Sequence, residues 1–267
     1  MFSTKRYVLC ALLSTAAFCA CTAAQGQAVF NGTWRFDMSK VKFSPKPFIF
    51  YTSQGWFHCE TCTPTLDVQA DGQDHAVTGH ALDTFNITLV DQRTLHMVGK
   101  KGGTTAFDQT CTVSADGKTL TVKETDYPMN GEKPVASEST LRRDGTLPPG
   151  VHPTSGRWIA VKASGSENGL LTTYKVNGNE ITMTDPTGDS YTAKLDGSDA
   201  PVKGAYGWDT VSLKRINDHA IEETDKFNGK VISVSTMTVS ANGKTMNVVT
   251  TEKPSERTSS IIAVKQQ

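Results

Sequence analysis

The densest group of reactive side chains is the stretch GWFHCETCTP (residues 55–64), where Cys59 and Cys62 form a C-x-x-C with His58 directly before it. Two cysteines at this spacing have three uses. They close a disulfide across a turn, exchange electrons where a helix N-terminus lowers a thiol pKa, or bind a soft metal as thiolates. Histidines supply the case for metal: with Cys59 and Cys62, the side chains of His58, His75 and His80 would make a zinc or copper set. The spacing is not that of a zinc finger, and no second C-x-x-C follows. The disulfide is therefore the expected state, with metal binding as the alternative and redox exchange behind it.

Compartment bears on that choice, because disulfides persist where the surroundings oxidise. Residues 1–28 have the layout of a secretory signal peptide: Lys5 and Arg6, a mostly apolar run over 7–20, then small residues, with no acid before Asp37. Cleavage after Ala24 or Ala28 fits. A lipid anchor at Cys21 is the other reading, although Phe18 and Cys19 depart from the Leu-small-small-Cys pattern. The apolar run is shorter than the ~20 residues that span a bilayer, and no later run reaches that length. The expectation is a secreted or periplasmic chain without an integral membrane span. Maturation leaves Cys59, Cys62 and Cys111, so one thiol stays free. It also leaves 25 basic side chains against 27 acidic ones, a balance that argues against nucleic acid as a partner.

The elements that position these residues follow from an internal repeat. TCTVSADGKTLTV (110–122) matches TMTVSANGKTMNV (236–248), DGQDHAVTG (71–79) matches DGSDAPVKG (196–204), and NGTW (31–34) matches SGRW (155–158). The offset moves only from 124 to 126 along the chain, so the order of matches implies a duplication. The division expected is 1–28 as signal peptide, 29–146 as a first β-barrel and 147–267 as a second, with the Pro- and Gly-rich segment 142–156 as linker.

Within each copy the signal is strand and turn. Asp-Gly or Asn-Gly pairs begin at 71, 116, 144, 177, 196, 228 and 242, and suit type I′ hairpins. Between them apolar and polar residues alternate: Val211 and Leu213, Leu120 and Val122, Met246 and Val248. No helix of three turns is expected. Many short strands joined by hairpins form a meander, which hides its edges best by curling into a barrel. The fold class expected is all-β, two tandem antiparallel meander barrels, with a two-sheet sandwich as runner-up.

VFNGTWRFDMSK (29–40) and SGRWIAVK (155–162) resemble the opening strand of lipocalin and fatty-acid-binding barrels, where Gly-x-Trp sits on the first strand. That resemblance implies a structural role for Trp34 and Trp158, closing one end of each barrel, and says nothing about ligand. CETCTP, ADGQDHAVTGH, SYTAKLDGSDAPVKG, IEETDK and MTVSANGKTM also resemble exported bacterial proteins with two such repeats.

The repeat doubles as a control on candidate sites. At offset 125, Cys59 and Cys62 fall on Thr184 and Thr187, in a turn between strands, which favours a disulfide-pinned turn. The positions of His75, His80 and His96 hold Ala200, Ala205 and Glu222 in the second copy. Cys111 shares a face with Phe107 and Val113 and reads as a small buried hydrophobe. Tyr206 and Trp208, in a loop that differs between copies, are candidates for a ligand gate. Glu223 and Asp225 share a strand face, Glu222 points away, and the three read as a solvated strand end. No G-x-S-x-G, H-E-x-x-H, Walker or dinucleotide motif occurs, so no catalytic residue is assigned. The expected function is binding of a small apolar molecule. A structural or interaction module with filled barrels, or a metal or redox site on the first repeat, are the alternatives.

Overall fold

The computed structural model describes residues 26–267. The signal peptide expected over 1–28 lies outside them except for its last three positions. Those three belong to a single-turn 3-10 helix, Gly26–Phe30. Gln27 is 1% exposed and its Nε2 donates to the Asn217 carbonyl at 2.5 Å. Phe30 is fully buried. A buried, hydrogen-bonded amide and a core aromatic are folded structure, so the described fold already includes Gly26–Ala28, the last three positions of the expected signal segment.

Twenty strands follow. The first ten are β1 (Gly32–Lys42), β2 (Phe48–Ser53), β3 (Trp56–Cys59), β4 (Leu66–Gln69), β5 (Asp74–Ala76), β6 (Thr84–Asp91), β7 (Thr94–Lys101), β8 (Thr104–Val113), β9 (Thr119–Asp126) and β10 (Val135–Arg143). The second ten are β11 (Gly156–Gly165), β12 (Leu171–Asn177), β13 (Glu180–Thr184), β14 (Ser190–Lys194), β15 (Asp196–Lys203), β16 (Thr210–Asn217), β17 (Ala220–Phe227), β18 (Lys230–Val239), β19 (Thr245–Glu252) and β20 (Thr258–Lys265). The chain is all-β, in two ten-stranded antiparallel sheets, and no helix among the described residues is long and apolar enough to cross a membrane.

The sheets do not divide the chain at the expected boundary. β1 pairs with β12 and β20 and closes the second barrel. β11 pairs with β10 and β2 and belongs to the first sheet. The first sheet thus holds β2 to β11 in the order β4-β3-β2-β11-β10-β9-β8-β7-β6-β5, and the second is β1 with β12 to β20. The segment 142–156 is a connection within the first sheet, not a linker between sheets. The physical reason is that antiparallel strands adjacent in sequence pair most readily. β11 follows β10 and joins it. The second sheet then lacks a strand, and β1 fills the gap and removes both edges. In the first sheet the terminal strands β4 and β5 are consecutive in the chain, so the short 70–73 link brings its two ends together and curls the sheet.

Each sheet buries one tryptophan in the same way. The indole Nε1 of Trp34 donates to the Phe30 carbonyl at 2.8 Å, and that of Trp158 to the Thr154 carbonyl at 2.9 Å. Both rings are fully buried. A buried indole needs such an acceptor. The Lys265 ammonium lies 5.0 Å from the Trp34 ring centre, and the Arg143 guanidinium 4.1 Å from that of Trp158, within cation–π range. Trp34 sits in the core of the second barrel and Trp158 in that of the first.

Turn chemistry follows the sequence in part. Asn228 and Gly229 take φ of 50° and 73°, the both-positive pair of a type I′ turn. Gln54 and Gly55, at 50° and 79°, form another that no Asn-Gly or Asp-Gly pair marks. At Asp116-Gly117 and Asn242-Gly243 only the glycine is left-handed. There Ser114 and Ser240 donate to the Asp116 and Asn242 side chains at 2.6 and 2.8 Å, which lengthens the turn.

Candidate ligand-binding site

The first sheet encloses a cavity of about 320 Å³, at the lower end of the range for small-molecule sites. Phe48, Phe50, Phe57, Phe85 and Phe107 form much of its wall. They come from β2, β3, β6 and β8, whose alternate residues face inward. Phe50 and Phe57 pack at 5.5 Å between ring centres, and Phe85 and Phe107 at 6.1 Å, edge to face. Gly99 makes room for the last of these. A Cβ there would lie 2.3 Å from Phe107 and 2.4 Å from Leu82, so any larger residue would displace two cavity-lining side chains.

The mouth is built from three loops. Cys59 and Cys62 are joined in a disulfide across a Cα–Cα distance of 5.4 Å, and the Cys62 side chain faces the cavity. The loop after β5 brings His80 and Leu82 to the rim and closes on itself through Val77 N to Asp83 O at 2.9 Å. It touches the disulfide turn, since a Cβ on Gly79 would be 3.9 Å from Pro64. The third contribution crosses from the other sheet: Tyr206, between β15 and β16, lines the cavity and donates from its hydroxyl to Asp126 at 2.8 Å.

One side of the interior is polar. Gln109 lines the cavity and stands opposite Glu124 in the β8–β9 ladder, where Phe107 stands opposite Asp126. Both carboxyls therefore share the face of these two lining residues, next to the cavity and not among its lining side chains. Burial, with a smaller push from the Asp126 charge, lifts Glu124 to about 7. Burial also raises Asp126, against the lowering effect of the Tyr206 hydrogen bond. Cys111, buried and also on the wall, has its thiol pushed up to about 12 by desolvation, which keeps it protonated and inert.

The five residues of the expected metal set are not brought to one point. Cys59 and Cys62 are consumed in the disulfide, His58 pairs with Asp67, and His75 Nε2 lies 2.8 Å from Asp71. His80 packs edge-on against Phe85, and burial lowers its pKa. His96 pairs with Asp108 at 3.0 Å. No group of three or more metal-ligating side chains exists among the described residues. The ladder also shifts the expected alignment: Phe50 opposes Cys59 as Tyr174 opposes Met183, so Cys59 holds the inward position of Met183 and not that of Thr184.

In the second barrel the stretch IEETDK is not a solvated strand end. Glu223 and Asp225 face inward on β17. Glu223 accepts from the Tyr191 hydroxyl, and Asp225 from Ser233. Burial and the nearby Asp225 charge lift Glu223 to about 8. Period-two alternation placed the two acids on one face, but the face turns inward because β17 pairs Glu223 with the fully buried Leu213. Tyr174 adds a second buried phenol, 3.5 Å from the Met237 sulfur. Trp208 belongs to this barrel. It packs edge-on to Tyr191 at 5.9 Å, and its indole donates to Asp189 at 3.3 Å. The two proposed gate residues thus serve different barrels. A smaller cavity of about 300 Å³ between the sheets is lined by both, with Asp126, Met129 and Asp189.

Sequence reasoning missed the phenylalanine wall and the Glu124–Asp126 pair. Aromatic density over 43–57 was a readable signal for the first, and the spacing of two acids on β9 for the second. Neither spacing indicates an enclosed site unless the sheet is known to curl.

Comparison with protein-family models, with curated proteins and with solved structures gives no match.

Proposed function

We propose that this chain is an exported binding protein whose first barrel takes up one small, largely apolar molecule. We further propose that its halves arose by duplication of a lipocalin- or fatty-acid-binding-like unit. The observation that carries the binding reading is the phenylalanine-lined cavity of about 320 Å³ under a rim of three loops. Desolvating an apolar ligand against such a wall is favourable by roughly 25 cal/mol per Å² buried. Tyr206 acts as the gate, because it spans the rim and is tied to Asp126 by one hydrogen bond. The export reading rests on residues 1–25, with cleavage after Ala24 preferred because Gln27 is part of the fold. The Cys59–Cys62 disulfide suits an oxidising compartment.

A structural role is the better reading for the second barrel. Its interior is crossed by the Tyr191–Glu223 hydrogen bond and carries Tyr174, Met183 and Met237 in its core. The test is native mass spectrometry of freshly purified protein, followed by titration with a fluorescent apolar probe. One probe per chain is expected, displaced by medium-chain alcohols. Failure of the probe to bind in the first barrel would sink the proposal.

A further inference from the structure

Resting on that binding reading, we propose that the ligand of the first barrel is cationic at one end: an apolar body on the phenylalanine wall and an ammonium group between Glu124 and Asp126.

Glu124 and Asp126 sit two residues apart on β9, both on the face shared with Gln109 and Phe107. Among the described residues no hydrogen bond or ion pair reaches the Glu124 carboxyl, and Asp126 has only the Tyr206 hydroxyl. The neighbouring Lys123 projects from the opposite face and lies 3.9 Å from Glu138. Gln109 donates one amide hydrogen to the Cys111 sulfur at 3.4 Å, and its oxygen adds another acceptor. With two carboxyls and this oxygen, the polar side presents more acceptors than donors. A carboxyl without a partner inside a protein is costly, and this pair answers the cost by holding protons more tightly than usual. An ammonium supplies three donors and a positive charge, and so relieves both carboxyls at once. A ligand carboxylate would bring a third negative charge into the same space. The distribution of side chains agrees: Tyr206 touches the apolar cavity and bonds Asp126, so a chain lying on the phenylalanines has its end within reach of the acids.

Calorimetric titration at pH 7 with decylamine, decanol and decanoic acid separates the possibilities, since the three share one tail. Decylamine is expected to bind at least about tenfold more tightly than decanoic acid, with decanol between. Glu124→Gln, an isosteric change, is expected to cut the preference for decylamine over decanoic acid below about threefold. Asp126→Asn combined with it should abolish the preference. Equal binding of decylamine and decanoic acid overturns the inference, and so does an amine preference that survives the double substitution. If decanol binds in either case, the binding reading stands without its cationic end. If none of the three binds, the binding reading itself has failed.

Discussion

Set in the same ladder register, the interiors of the two barrels hold opposite chemistry. Phe50 of the first stands where the second has Tyr174, Leu66 where it has Tyr191, Met97 where it has Glu223, Gly99 where it has Asp225, and Cys111 where it has Met237. In the second barrel a phenol reaches a carboxyl at the centre, so hydrogen bonds occupy space that a ligand would need. In the first, the same positions are apolar or small, and a cavity opens. The backbone is shared, and the difference is made by a handful of inward residues. Polar cross-bracing fills one barrel, and the lack of it at those positions leaves room in the other.

The comparison breaks most severely at the tryptophans. Trp34→Ala and Trp158→Ala should each cost about 3–5 kcal/mol, the usual penalty for a fully buried large aromatic. The location of the damage is the sharper result. Hydrogen exchange should rise across 171–265 for Trp34→Ala and across 48–165 for Trp158→Ala. Damage confined to the half that carries the substitution would argue against the observed strand exchange.

Next in size is the response to pH. Glu223 is held at about 8 in the fold against an ordinary 4.5. Between those values the native state keeps a proton that the unfolded chain has released. The associated stability is full below the lower value and lost as pH rises through the upper one, at a slope approaching about 1.4 kcal/mol per pH unit. Glu124 at about 7 and Asp189 at about 6 act in the same direction over narrower windows. Chemical denaturation from pH 5 to 9 should show falling stability, and Glu223→Gln should flatten the curve by up to one proton's worth. An unchanged slope in that variant would remove Glu223 as the cause.

The disulfide comes third. It closes a loop with a sequence separation of 3, so Cys59→Ser with Cys62→Ser should cost about 2 kcal/mol or less on loop-closure grounds. Apolar-probe affinity should fall with it, because Cys62 is part of the cavity rim. A variant that loses neither would demote the turn to a passive link.

The last comparison makes the first barrel resemble the second. Cys111→Met with Leu66→Tyr copies two residues from the equivalent positions. Stability should change by about 1–3 kcal/mol, since the added atoms enter existing space. Probe uptake should be lost, as read by fluorescence titration. Undiminished uptake would show that ligand lies elsewhere.

Much of this was legible from residue order. The disulfide, the buried Cys111, the strand-rich fold and the two Gly-x-Trp strands all follow from local pattern and spacing. The strand exchange did not, because NGTW and SGRW carry the same local signal whichever sheet they enter. The inward turn of Glu223 and Asp225 was hidden for a related reason. Alternation says which residues share a face, and only the pairing with Leu213 says which face is inside. Spacing along the chain also says nothing of whether the loops carrying His58, His75 and His80 converge, and in the fold each histidine takes a different neighbour.

By itself, the sequence determined the strands, the turns and the cysteine pair, since these depend on neighbours within a few residues. The tertiary structure decided which sheet each tryptophan strand joins, which carboxyls are buried, and that Tyr206 from one sheet lines the cavity of the other. Those outcomes depend on contacts between residues far apart in the chain, and on which of two similar sheets has an edge left to fill.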